Sequence, residues 1–183
     1  MCTVILMLAL AYSSEIFDDL TFHSLTSQIW ALPFLIYLLS VEISQINRWI
    51  LWSVITLLIA YPNPHPIQVA WNSRNSNAVR TRTVSAACYN MFVQAGGIVV
   101  SYVYQTNSKT VTSGAPDYTN GNRVLLGVVC ANIVLYLLTK LYYVSRNQSR
   151  DKKWAAMSGK EQLEYIKLTK DEGNKRLDFR FAY

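Results

Sequence analysis

The sequence is poor in charged residues. Asp, Glu, Lys and Arg make up only 15% of its 183 residues, whereas an ordinary soluble domain has about 25%. The shortage lies in the first three quarters of the chain, because ten of the seventeen basic residues and six of the eleven acidic residues follow residue 144. The chain therefore divides into a long apolar part and a short basic tail.

Cysteine is also scarce, and its spacing excludes two classes of protein. The three cysteines, Cys2, Cys88 and Cys130, are far apart and form no C-x-x-C pair, so neither a disulfide scaffold nor a zinc site is expected. The sequence has no G-x-S-x-G motif, no phosphate loop, no H-E-x-x-H motif and no pair of carboxylates within its uncharged runs. We therefore expect no enzyme activity, no metal and no cofactor.

Long runs without charge take up most of the chain before the tail. They cover residues 20–41, 49–73, 83–108 and 124–139, and about 20 apolar residues suffice to cross a bilayer. They predict an all-α membrane protein whose region 14–144 holds four transmembrane helices, at about 22–39, 49–71, 84–104 and 124–144. The alternative, a soluble bundle of buried helices, is disfavoured because residues 49–60 lack a polar face.

Residues 1–13 form an apolar stretch of about half the length of a span, without the basic start of a signal peptide. We expect this stretch to be a truncated transmembrane helix.

Arginine and lysine predict the orientation. Arg74, Arg80 and Arg82 follow the second predicted span, and the tail, residues 145–183, is basic. Both regions are predicted to be cytoplasmic, which places residues 41–48 and 105–123 outside. The tail is interpreted as a solvated segment that sets orientation, with anionic-lipid binding as the alternative; nucleic-acid binding is not expected. Lys140, inside the last span, is expected to reach the headgroups.

Three prolines interrupt the second predicted span. Pro62, Pro64 and Pro66 remove backbone donors and leave carbonyl groups that lipid cannot satisfy. Two interpretations stay open, a broken helix that lines a substrate path or a kinked structural helix. In either case His65 is expected to face the next span, toward Asn90 and Gln94. The candidate substrate-path residues are Tyr61, Asn63, His65, Gln68, Tyr89, Asn90 and Gln94.

Several longer motifs resemble one known family. Residues 71–77 (WNSRNSN), 79–82 (VRTR), 84–87 (VSAA) and 89–94 (YNMFVQ) are similar to segments of the fungal allantoate permease family of major facilitator transporters, also called anion:cation symporters. Segments that look like the last span and tail of that family follow at residues 121–127, 139–144, 150–152 and 173–181.

The resemblance implies a twelve-span symporter in two halves that takes up allantoate, nicotinate, pantothenate or related carboxylates with protons. Asn72, Arg74, Arg80 and Arg82 match the family's cytoplasmic loop motif, whereas Pro64 and Pro66 depart from its pattern. The chain would then be a C-terminal part, from the end of span 8 through span 12, and its transport would need an N-terminal half. Plasma-membrane localisation is implied, with retention in the endoplasmic reticulum as the alternative for a fragment.

Two alternatives to a carrier remain open at this point. One is a non-transporting remnant of a disrupted transporter gene. The other is a membrane interaction subunit that associates with a related transporter chain. Because a carrier of this type binds its substrate between two halves, the sequence of one half does not define the substrate.

Overall fold

A computed structural model describes residues 2–41, 47–108, 119–171 and 173–183. Met1 and most of the two segments predicted to face outside, 41–48 and 105–123, lie beyond the described residues. The described chain contains helices and no strand, and the predicted all-α membrane class is confirmed. The helices are α1 (Cys2–Phe17), α2 (Leu20–Ser40), α3 (Arg48–Ile59), α4 (His65–Ser76), α5 (Val79–Ser108), α6 (Thr119–Ala155) and α7 (Gly159–Leu168).

Three described helices, α2, α5 and α6, are long and apolar enough to cross a membrane. The predicted span at 49–71 is not one of them, because the structure divides it into α3 and α4 with a break at residues 60–64. Each of these helices has 12 residues and is about 18 Å long, against a hydrocarbon core of about 30 Å. Pro62 and Pro64 occupy the break and cannot donate helical hydrogen bonds.

The predicted boundaries of the other helices also shift. The helix at the start continues past residue 13 to Phe17 and ends where Asp18 adopts the left-handed conformation, with φ of 48°. The helix α6 does not end at residue 144 but continues to Ala155, so the first part of the tail is helical. Residues 145–155 contain neither glycine nor proline, and Lys152 and Lys153 in the last turn suit the negative end of the helix dipole.

The most closely packed region is the N-terminal half of α2, which lies mainly against α6. Thr21, Ser24 and Ser27 are fully buried there, and such small side chains allow helices to approach closely in a membrane. Leu20 of α2 forms an apolar cluster with Ile67 and Trp71 of α4. This cluster fixes α4 beside α2 and α6, and α4 in turn carries most of the polar residues of the candidate site.

One end of the bundle collects the α1–α2 turn, the end of α4, the start of α5 and the last turns of α6. The chain terminus lies at the same end, where Ala182 is hydrogen-bonded to Asn75 and Phe181 to Asn147. We call this end the tail side. Residues 173–183, which cross it after α7, are called the C-terminal strap.

Candidate functional site

The break between α3 and α4 is stabilised by two side chains of α2. Pro66 has no N–H for the carbonyl of Pro62, and the Ser27 hydroxyl donates to that carbonyl at 2.5 Å. Trp30 Nε1 donates to the Leu57 carbonyl at 3.1 Å, near the end of α3. Both donors satisfy backbone groups that hydrocarbon could not. The interruption of the helix is therefore part of the packed structure, with its partners supplied by a neighbouring helix.

On α4, one turn after its start, Gln68 joins three helices. Its side-chain oxygen accepts a hydrogen bond from the Tyr89 hydroxyl of α5 at 2.7 Å, and its side-chain nitrogen donates to the Tyr136 hydroxyl of α6. The three polar groups thus form one chain across α4, α5 and α6. Hydrogen bonds of this kind hold transmembrane helices together, and the hydroxyl groups also remain able to exchange partners with a bound solute.

The imidazole of His65 lies on the same face of α4. Its ring packs edge-on against the Tyr89 ring, with centroids 5.4 Å apart, and Asn63 Oδ1 accepts a hydrogen bond from the His65 backbone at 3.0 Å. The structure therefore directs His65 toward α5, as expected. Its contact on that helix is Tyr89, however, and the freed carbonyl of Pro62 is satisfied by Ser27 instead of a histidine donor.

The structure does not bring the remaining predicted path residues into this group. Asn90 and Gln94 are exposed on α5, and Tyr61, in the break, is 37% exposed. Every residue of α5 from 90 to 102 is exposed. Asn90 and Gln94 therefore lie beyond the part of α5 that packs against α4. The sequence spacing correctly places Asn90 and Gln94 on one helix, but no described element covers them.

A cavity of about 600 Å³ opens between α4, α5 and α6 beside this group. Its walls are amides, hydroxyls and aromatic rings, and none of the residues lining it is acidic or basic: Gln68, Trp71, Asn72, Asn75, Ser76, Ser85, Tyr89, Tyr136, Thr139, Tyr143, Asn174 and Phe181. The cavity is large enough for a small organic molecule. Its polar groups can donate several hydrogen bonds to such a molecule, and no formally charged side chain lies in its wall.

Of the predicted loop motif, only Asn72 lines this cavity. Arg74 instead forms an ion pair with Asp18 at 2.7 Å, and Arg80 and Arg82 are exposed near the start of α5. Both Asp18 and Arg74 are largely exposed, with side-chain exposures of 78% and 47%. A pair of this kind contributes little to stability, but it places the α1–α2 turn next to the end of α4.

Lys140, which the sequence predicts to extend to lipid headgroups, has a protein partner. Its ammonium group lies 2.6 Å from Asp19 Oδ2, at the first turn of α2. Burial disfavours the ionised form of Asp19, but the hydrogen bonds from Lys140 and from the Phe22 backbone outweigh it, and the pKa of Asp19 lies below its usual value. This ion pair connects the α1–α2 turn to α6.

The C-terminal strap closes the tail side through buried polar residues. The Asn147 side chain bonds to both the carbonyl and the N–H of Phe181, at 2.8 and 2.9 Å. Asn75 does the same for Ala182, at 3.1 and 2.8 Å, and Trp71 Nε1 adds a bond of 2.8 Å to the Ala182 carbonyl. Successive residues of the strap are thus held by α6 on one side and α4 on the other.

Arg150 gives the strap a second attachment. It is only 6% exposed, donates to the carbonyl groups of Phe179 and Asn174 at 3.0 and 2.7 Å, and lies over the Phe181 ring at 4.8 Å. The Phe181 ring also stacks on Tyr143, with centroids 4.8 Å apart. A guanidinium group has enough donors to join two carbonyl groups at once, so one buried arginine holds the strap at both Asn174 and Phe179.

Sequence reasoning did not identify three important residues. Tyr136 completes the Gln68 group, and Ser27 and Trp30 support the helix break. Ser27 and Trp30 lie on α2 and Tyr136 lies on α6, so spacing along α4 gives no information about them. Within the described residues, no group of three or more His, Cys, Asp or Glu side chains is arranged to hold a metal ion.

Comparison with known proteins identifies two yeast relatives. The chain is 40% identical over 180 residues to the Saccharomyces cerevisiae protein named uncharacterized transporter YOL162W, and the match covers 98% of the chain and 81% of that protein. The chain belongs to this transporter family. It is also 42% identical over 157 residues to uncharacterized transporter YIL166C of the same yeast.

The two relatives differ in length relative to this chain. The match to YIL166C covers 86% of the chain but only 28% of that relative, so the chain spans about a quarter of the longer transporter. No family model and no solved structure matches the chain. Membership of the transporter family agrees with the three long apolar helices and identifies an integral membrane protein. Transporters are generally not enzymes.

Proposed function

We propose that the chain forms part of a proton-coupled carrier of small organic anions, with allantoate, nicotinate and pantothenate as representative substrates. The observation that carries this proposal is the hydrogen-bonded group of Gln68, Tyr89 and Tyr136 beside the cavity. The two yeast relatives support transport as the general activity. The resemblance of residues 71–94 to the allantoate permease family supports the substrate class.

The chemistry of the cavity suits a carboxylate. Hydroxyl and amide groups can donate to carboxylate oxygens, and such charge-assisted hydrogen bonds are stronger than those between neutral groups. None of the lining residues is an Asp or Glu that would repel an anion. The aromatic rings of Trp71, Tyr89 and Tyr136 provide flat apolar surfaces for the rest of a small solute.

His65 is the proposed proton-linked group. Histidine changes its charge between about pH 5 and 8, and His65 lies at the start of α4 against Tyr89, which also bonds to Gln68. The titratable group whose ring contacts the imidazole is Tyr89. A change of charge at His65 would therefore alter the electrostatic environment of Tyr89, which is hydrogen-bonded to Gln68.

We also propose that the complete path includes spans supplied by another chain or another region of a transporter in the plasma membrane. Carriers of this architecture bind substrate at the interface between two sets of helices. In the described chain, residues 90–102 of α5 are all exposed, and Asn90 and Gln94 would be costly to leave in hydrocarbon. A partner set of helices would cover them.

The test uses a chimera in which the chain replaces the matching segment of YIL166C, expressed in yeast lacking both relatives. We expect saturable uptake of labelled allantoate, nicotinate or pantothenate that increases at acid pH, and none from the chain alone. In the chimera, Gln68→Leu should reduce uptake at least about tenfold, because it removes both hydrogen bonds of the polar group. The matched control is Gln148→Leu, since Gln148 is exposed on α6.

His65→Gln in the same chimera should retain plasma-membrane expression and abolish the pH dependence of uptake. Unchanged pH dependence would leave His65 with a structural role only. If the chimera reaches the plasma membrane but takes up none of the three acids, the proposed substrate class is wrong. A chimera that is inactive, together with recovery of a transporter chain bound to the α5 face, would favour an interaction subunit.

A further inference from the structure

The C-terminal strap does more than pack against the bundle end, because it contributes to the wall of the cavity. Asn174 and Phe181, at the two ends of the docked segment, both line the cavity. The Phe181 ring stacks on Tyr143, which is another lining residue. The strap therefore forms part of the cavity wall on the tail side.

The attachments of the strap are numerous but reversible. Asn75, Trp71, Asn147 and Arg150 hold it through hydrogen bonds to its backbone. Its own sequence adds one ion pair to α6, between Arg180 and Asp151, and that pair is partly exposed. No covalent bond and no regular secondary structure tie residues 179–183 to the helices, so release requires only that side-chain contacts be exchanged for water.

A third observation is the close fit at the entry to the strap. Gly173 has φ of +64°, in the left-handed region, and a Cβ atom added there would lie 3.1 Å from both the Ser76 carbonyl and the Ala78 side chain. The Asn77 side chain reaches the Gly173 carbonyl at 3.4 Å. The start of the strap is thus fitted to the turn between α4 and α5, the two helices that form one wall of the cavity.

We infer that the C-terminal strap is a releasable closure of the α4–α5–α6 cavity, and that its undocking opens the cavity to the solution on the tail side. This inference rests on the proposed function only in that the cavity is taken to receive a solute. The strap contributes to this closure through Phe181 and Asn174, which lie in the cavity wall. Because α6 holds Phe181 and α4 holds the adjacent Ala182, a change in the spacing of α4 and α6 would weaken both sets of bonds together.

The experiment measures access to the cavity and does not depend on transport. Ser85, which lines the cavity and is half-buried, is replaced by cysteine in the full chain after Cys2, Cys88 and Cys130 are changed to Ser. Membranes exposing the tail side are treated with a small water-soluble thiol reagent, and the labelling rate is measured. A cysteine at Val79, which is 81% exposed, reports general access.

Asn75→Ala with Asn147→Ala should raise the labelling rate of the cysteine at residue 85 by at least about tenfold, because four hydrogen bonds to the strap are lost and labelling follows the undocked population. Labelling at residue 79 should not change. The matched control is Asn120→Ala, an exposed asparagine at the other end of α6. Gly173→Ala, which leaves both asparagines in place, should act in the same direction.

Trypsin cleavage at Arg176 and Arg180 reports independently whether the strap has undocked. Faster cleavage with unchanged labelling at residue 85 would overturn the inference. Where the double variant leaves the strap docked, a chain ending at residue 172 removes it, and unchanged labelling in that chain would overturn the inference equally. Increased labelling in a chimera that shows no uptake would support the closure and contradict the proposed function. Uptake by a chimera whose labelling does not change would support the proposed function and contradict the closure.

Discussion

Asn75 and Asn147, at the tail side, are buried and each makes two hydrogen bonds to the strap, whereas Asn90 and Gln94, in the membrane stretch of α5, are exposed. All four are amides within helices. The difference lies in what surrounds them, because α4, α6 and the strap meet at the tail side while residues 90–100 of α5 are all exposed. The tail side is packed within the described chain, and the exposed α5 face is where the proposed partner helices would lie.

This contrast first concerns the membrane side on which each region lies. We expect all-or-none labelling by an impermeant thiol reagent on intact cells, in a background without Cys2, Cys88 and Cys130. A cysteine at Val79, next to the tail side, should remain unlabelled because arginines flank it and such segments stay in the cytoplasm. A cysteine at Asn120, at the opposite end of α6, should be labelled.

Permeabilisation provides the control, since it should make the cysteine at residue 79 reactive. Labelling at 79 with none at 120 in intact cells would reverse the proposed orientation. A reversed orientation would not affect the strap contacts, because these require only that the strap and the ends of α4 and α6 lie at the same end of the bundle.

The free energy of unfolding should also distinguish the tail side from the α5 face. Trp71→Ala removes a buried ring from the Leu20–Ile67 cluster and a hydrogen bond to Ala182, and we expect a loss of about 3–5 kcal/mol in the free energy of unfolding. Phe92→Ala on α5 removes a ring that is 70% exposed, so its effect should stay within about 0.5 kcal/mol.

Both variants can be compared by thermal denaturation of the detergent-solubilised chain, followed by size-exclusion chromatography. Equal destabilisation by Trp71→Ala and Phe92→Ala would mean that the α5 face is already packed against something in the isolated chain. It would contradict the distinction between a packed tail side and an exposed α5 face.

The sequence predicts the parts of this structure that depend on local composition. The absence of charge predicts helices in a membrane, and three prolines predict an irregularity near His65. The break itself could be foreseen only as one of two interpretations, because its occurrence depends on Ser27 and Trp30 of α2, which supply donors from at least 27 residues away.

The candidate site illustrates the same limit. Gln68 and Tyr89 could be proposed because both stand out within apolar runs, but Tyr136 is one of twelve tyrosines in the chain and its spacing carries no signal. The sequence predicts a solvated tail, since Asn147, Arg150 and the charged residues that follow them look like ordinary polar sequence. Their docking depends on residues 34 and 107 positions apart, and such pairings are set by tertiary packing.

The smallest expected effect concerns the ion pair that joins the α1–α2 turn to α6. Asp19→Asn removes the charge that faces Lys140, while an asparagine can still accept the hydrogen bond from the Phe22 backbone that caps α2. About a third of each side chain is exposed, so we expect a loss of only about 0.5–1 kcal/mol near neutral pH. Asp18→Asn is the matched control and should change stability by less, because its pair with Arg74 is more exposed.

The pH dependence gives this small effect a distinctive sign. The pKa of Asp19 is lowered in the folded chain from its ordinary value of 3.8, so the ion pair stabilises the fold above that value, and its contribution is lost as the pH falls through the lower, folded pKa. The difference between the natural chain and Asp19→Asn should therefore be constant from neutral pH to about pH 5 and disappear in strong acid. Thermal denaturation at a series of pH values measures it. A difference that persists unchanged in strong acid would show that the asparagine disturbs the helix cap, and no difference at neutral pH would show that Lys140 is satisfied elsewhere.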